Sequence, residues 1–217
     1  MTTHVAVLPS IWQPWTDECL RTVHFEVMVV DNTVENIGTG ASWNRGIDKM
    51  RAEGADWLIL VSAALRFGEP GGFDFLDALD AHADHLVVEA HGVFGWHLIA
   101  FHRRCVEALG RFDCNFFPYG CDDIDWSLRF QKHYEPGWPT YPRPDDVRWT
   151  KVPVDVEDMG MAHSIKLAGL DDKGHSIRYY REKWGGDKGQ EQFATPYGNP
   201  GRPLAYWTST PRGAWDD

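Results

Sequence analysis

The chain has 217 residues, with 21 Lys and Arg against 32 Asp and Glu and a formal net charge of −11. That length holds one domain with a full core, or one domain plus a small appendage. The acidic balance argues against a protein whose main work is gripping a nucleic-acid backbone, because phosphates are neutralised by clustered Lys and Arg. Residues 1–110 carry a net −8 and residues 111–217 a net −3, so basic groups concentrate late in the chain and a local basic pocket stays open. There is no membrane-spanning apolar run. The start, MTTHVAVLPSIW, lacks a basic-then-apolar secretion signal, so a cytoplasmic location is expected. The four cysteines form no C-x-x-C pair and read as reduced thiols.

Strand and helix signals alternate from the start. His4–Leu8 is an apolar run stopped by Pro9, and Phe25–Val30 is a second run stopped by Asp31-Asn32. Trp15–Val23 between them has helical spacing, Gly40–Glu53 is a second helix, and Trp57–Val61 (WLILV) is a buried strand. This order predicts an α/β fold with a mostly parallel sheet covered by helices. Ligands of such sheets sit outside the carboxyl ends of the strands, here Pro9–Ile11, Asp31–Thr33 and Ser62–Ala64. Further on come a helix at Phe73–Ala83, strands at Leu86–Glu89 and Gly95–Phe101, and a short helix at Arg104–Leu109. Asp122–Gln131 is a helix, and Lys151–Val156 one more strand. Prolines exclude regular structure in PGWPTYPRP, and the last forty residues, rich in Gly, Pro, Trp and Tyr, read as an ordered wrapping segment.

Three segments then fall in a recognisable order: VVDNTVENIGTGASWNRGI (29–47), WLILVSAALRF (57–67) and GWHLIAFHRRCVEALGRFDCNFFPYGCDDIDWSLRF (95–130). With its apolar strand, Arg-Arg, helix, G-x-F-D and D-D-x-D followed by Arg, the chain resembles the GT-A-fold, family 2-like glycosyltransferases over about residues 4–165. Its tail, YYREKWGGDKGQEQFATPYGNP, looks like those of small phage-encoded members. The resemblance implies a single domain, with residues 1–165 as the core and 166–217 as a wrapping segment or lid. It implies transfer of a sugar from a nucleoside diphosphate sugar to a hydroxyl of a protein, glycan or small-molecule acceptor. A modified DNA base as acceptor fits the acidic balance less well.

The resemblance also assigns residues. Asp31 would contact the nucleobase, the alternative being an Asx-turn that stabilises the strand exit. Pro9, Asn32 and Ser62 stand at strand ends and join it as donor-binding candidates. Asp123, and after it Asp122, would be the base that deprotonates the acceptor; a like-charged neighbour raises such a base toward neutral pH. Asp125 is expected to pair with Arg129 one helical turn on, and Asn44 to support a loop. The family's D-x-D acids, which hold Mg²⁺ or Mn²⁺ against the diphosphate, are here Ser62-Ala63-Ala64, and alanines supply no hard oxygen ligand. Three outcomes stay open: metal-independent transfer, a metal held elsewhere with His163 as its candidate ligand, or a degenerate protein that binds carbohydrate or builds a phage particle. In the first, Arg66, Arg181 and Lys183 would neutralise the diphosphate, with Gly185-Gly186 as the hinge of a closing lid. Some of the eleven tryptophans, among Trp12, Trp96, Trp126, Trp138 and Trp184, would stack on sugar, most being core.

Overall fold

The computed structural model describes residues 2–92, 96–134, 148–160 and 174–193. Six strands form the main sheet: β1 (His4–Ser10), β2 (Val27–Asp31), β3 (Trp57–Val61), β5 (Val87–His91), β6 (Leu98–His102) and β7 (Trp149–Pro153). Their order is β2-β1-β3-β6-β5-β7, and only β6 runs against the rest. The reversal follows from chain length. Residues 92–97 join β5 to β6, too few for the crossover that a parallel neighbour requires. A small second sheet pairs β4 (Leu65–Phe67) with β8 (Val156–Asp158).

Two local expectations change. β1 does not stop before Pro9 but runs through it to Ser10. The Ser10 carbonyl accepts from the Asn32 N–H, so Ser10 faces β2 and Pro9 faces the β3 side, where pairing has ended at Val7. No donor is missed there. The single strand expected at Lys151–Val156 divides in two. β7 ends at Pro153 on the main sheet, and β8 begins at Val156 on the small one.

Helices cover both faces. On one, α2 (Thr39–Glu53), α4 (Arg103–Leu109) and α5 (Asp122–Tyr134) bury Ile47, Met50, Val106, Trp126 and Phe130 against Val7, Leu58, Leu60 and Phe101. On the other, α1 (Gln13–Thr22) and α3 (Phe73–Ala81) bury Cys19, Phe75 and Leu79 against Leu8, Ile59 and Val61. The alternation along β1 and β3 sends neighbouring residues to opposite cores. Helix α2 lies on the sheet through Gly46, where a Cβ would stand 2.8 Å from both Leu58 Cδ1 and Val7 Cγ1. A last helix is α6 (Gly174–Trp184). It packs Tyr179, Tyr180 and Trp184 against Phe116 and the start of α5. No helix among the described residues is long and apolar enough to cross a membrane.

Candidate functional site

The carboxyl ends of β1 and β3 meet the amino end of the reversed β6 at one edge of the sheet. Above them opens a cavity of about 670 Å³, within the size range of small-molecule sites. Pro9, Ser62–Ala64, Trp96 and His97 form its floor. Asn36, Thr39 and Trp43 of the β2–α2 region form one wall, Cys121–Ile124 at the start of α5 another, and Ile177, Tyr180, Arg181 and Lys188 a third.

The chain enters α5 through two residues with positive φ, Gly120 (+94°) and Cys121 (+64°). The left-handed conformation is costly for a cysteine, and it turns the chain so that Asp122 and Asp123 both line the cavity. Asp122 is 5% exposed. Its Oδ1 accepts the Gly120 N–H at 3.1 Å, while Oδ2 is buried with no hydrogen-bond partner. Burial first, and then the charge of Asp123, push the Asp122 carboxyl up to about 7. Asp123 is the more exposed of the two.

Asp125 turns the other way, into a closed set of charges. Its Oδ2 accepts from Arg129 Nε at 3.0 Å, the pair expected from spacing. Its Oδ1 lies 2.8 Å from both Lys183 Nζ and Trp184 Nε1. Lys183 also donates to Asp113 Oδ2 at 2.7 Å, which accepts from the Tyr179 hydroxyl at the same distance. Burial alone would raise the Asp125 carboxyl, but Lys183 and Arg129 together hold it below its ordinary range. Two carboxylates and two cations thus neutralise one another with no exposed side-chain surface on Asp125, Arg129 or Lys183.

Two of the basic donor-binding candidates stand outside the cavity lining. Lys183, on the buried face of α6, has no exposed side-chain surface and does not line the cavity. Arg66 lies outside it as well, on β4, bonded to Glu18 at 2.8 Å and Glu157 at 3.1 Å. Asp31 is exposed, and its carboxylate accepts the Thr33 hydroxyl at 2.6 Å and the Thr33 N–H at 2.8 Å. Those bonds hold it below the usual carboxylate range, and it forms the turn at the strand exit rather than part of the cavity lining. Asn32 lines the cavity but has its amide engaged, donating to Ser42 Oγ at 2.9 Å and accepting from the Ile37 N–H at 3.1 Å. Pro9, Ser62 and Arg181 do line it, with Ser62 Oγ accepting from the Ala64 N–H at 3.2 Å and Arg181 Nε 2.6 Å from Asp187. Asn44 supports a loop, holding both the N–H and the carbonyl of Phe112 at 2.9 Å. His163 lies outside the described residues.

The cavity also contains Asn36 and Lys188, and three side chains that sequence reasoning passed over: Trp43, His97 and Tyr180. Of these His97 left a trace, a polar residue opening the buried run LIAF. The donor set disagrees with the metal site that the resemblance implies. Ser62, Ala63 and Ala64 carry no carboxylate. Among the described residues, no three His, Cys, Asp or Glu side chains converge to hold a metal ion.

No family model matches the chain, and no curated protein matches it. Solved structures do. The mannosyltransferase PcManGT from Pyrobaculum calidifontis, in complex with GDP-Man and Mn²⁺, is 15% identical with a TM-score of 0.48, over 70% of this chain and 55% of that one. S. aureus TarS 1-349 is 11% identical with a TM-score of 0.49, over 77% of this chain and 64% of that one. A glycosyltransferase involved in the glycosylation of the major capsid of PBCV-1 is 12% identical with a TM-score of 0.39, over 70% and 82%. These neighbours are GT-A-type glycosyltransferases, and this chain spans little more than half the length of the first. At such scores the likeness carries neither residue roles nor activity to this chain.

Proposed function

We propose that this chain is a nucleotide-sugar-dependent glycosyltransferase. The observation that carries the reading is the adjacent carboxylate pair Asp122 and Asp123, facing a cavity of about 670 Å³ at the carboxyl ends of β1 and β3. Asp123 is the base, because it is the more exposed to solvent and its charge helps keep Asp122 protonated up to about pH 7. It takes the proton of the acceptor hydroxyl. The freed oxygen bonds to the anomeric carbon, the bond from that carbon to the diphosphate breaks, and its electron pair leaves on the diphosphate oxygen. Attack opposite the leaving group inverts the anomeric centre. Arg181 and Lys188 line the same cavity and offer positive charge to the departing group, and Trp43 and Trp96 offer aromatic faces to the sugar.

The acid-free turn Ser62-Ala63-Ala64 favours a second reading, a carbohydrate-binding or structural component of a phage particle that has lost catalysis. The full chain incubated with UDP-, GDP- and dTDP-sugars, in EDTA or Mn²⁺, separates the two by release of nucleoside diphosphate. Release is expected with at least one donor. Asp123→Asn should abolish it while nucleoside diphosphate affinity stays within a few-fold. Glycan binding without release supports the second reading, and calorimetry that detects no nucleoside diphosphate binding rejects transfer.

A further inference from the structure

In the transfer reading the diphosphate meets Arg181, itself 2.6 Å from Asp187, and Lys188 from one wall of the cavity only. A diphosphate must be neutralised where Ser62-Ala63-Ala64 offers no acid to recruit a cation, and two expected cations, Arg66 and Lys183, are engaged elsewhere. One side chain beside that turn is built for the task. The His97 carbonyl accepts the Ser62 N–H at 2.7 Å, which fixes residue 97 against the turn. Its imidazole lines the cavity floor with 9% of the side chain exposed. Nδ1 is buried, makes no hydrogen bond, and lies 3.3 Å from Asp158 Oδ2.

Asp158 reaches that position through the small sheet. β8 pairs it with Leu65 just past the turn, and the Met159 N–H donates to the Ala64 carbonyl at 2.8 Å. Its other oxygen accepts the Gly160 N–H at 2.9 Å, which aims the carboxylate. An acid thus stands beside the acid-free turn, supplied by a different strand and placed behind a histidine.

Resting on the transfer reading, we propose that His97 is a further cation, on the cavity floor, that receives the donor diphosphate: its imidazole takes a proton from solvent as the anion enters, and Asp158 holds the resulting imidazolium. The charged groups around it suit that switch. Asp158 faces it from β8 and Asp123 from α5, while Asp122, Arg181, Asp187 and Lys188 line the rest of the cavity. In the empty cavity burial lowers the imidazole below its ordinary value, against the opposing pull of the two carboxylates, so it is neutral near pH 7. An entering diphosphate adds further negative charge and shifts that balance toward the charged form. The imidazolium then donates to the oxygen on which the leaving electron pair collects.

Nuclear magnetic resonance of the full chain at pH 7.0, titrated with UDP, GDP, ADP and dTDP, tests this. The imidazole signals of His97 are assigned by their loss in His97→Gln. With a diphosphate that binds, they should move to imidazolium positions, and His97→Gln should weaken that diphosphate by tenfold or more. Asp158→Asn should reduce the protonated fraction in the bound wild-type background. Binding with His97 still neutral overturns the inference and leaves the transfer reading standing. If none of the four perturbs any cavity signal, the transfer reading falls and the inference with it.

Discussion

Asp122 carries a consequence that can be measured without any substrate. Its carboxyl is raised from an ordinary 3.8 to about 7 by burial and by Asp123, about three units, or about 4 kcal/mol at 1.36 kcal/mol per unit. The sign follows from proton counting. Between those two values the folded chain keeps a proton on Asp122 that the unfolded chain has lost, so stability falls as pH rises through this window and levels off above 7. From pH 5 to pH 8 this residue alone should remove about 2–3 kcal/mol. Asp122→Asn keeps an oxygen for the Gly120 N–H and cannot ionise. The variant amide has its own cost where Oδ2 now sits unpartnered, but that cost does not change with pH. Urea unfolding of both proteins at pH 5, 6, 7 and 8 gives two curves of ΔG whose difference cancels the titrating groups that do not sense Asp122, and leaves the titration of Asp122 with its coupled neighbour Asp123. That difference should move in favour of the variant by about 2–3 kcal/mol across the series. Parallel curves would refute the assignment of a buried, proton-holding carboxyl at this position.

Other consequences concern packing and charge. Lys183→Met should lower stability by about 3–5 kcal/mol in chemical denaturation, because it leaves Asp113 and Asp125 facing each other with one cation fewer. Gly46→Val should cost about 1–3 kcal/mol by driving α2 off Leu58 and Val7, read as a lower urea midpoint. Arg66→Ala should change stability by less than about 1 kcal/mol, since the ion pairs it makes with Glu18 and Glu157 are at the surface. It should also leave nucleoside diphosphate affinity within twofold, and a larger loss by calorimetry would return Arg66 to the donor site.

Much of the architecture was written in local pattern. WLILV is apolar at every position because β3 is covered on both faces, and that alone placed the centre of the sheet. The Asp125–Arg129 pair was legible because helical spacing fixes which neighbours meet. Lys183 was not. In the run YYREKWGG it looks like one more solvated cation, and its carboxylate partner Asp113 stands 70 residues away in sequence. The same holds for His97, whose meaning depends on β6 running backwards and on Asp158 arriving from another sheet. Pro9 misled for a related reason, since a proline is barred from a strand only on a side that still has a partner.

The buried set of Asp113, Asp125, Arg129 and Lys183 has a further meaning for how this chain comes to be folded. Two of its acids and one of its bases leave the ribosome long before Lys183 does, so the nascent α5 region holds an uncompensated negative charge in what will become its interior. Completion of the fold is therefore expected to wait for the segment through Trp184, and a chain cut near residue 165 is not a smaller folded protein but one arrested short of neutrality. Force-profile measurements on stalled chains of increasing length should show the final folding step only after that lysine has cleared the exit tunnel.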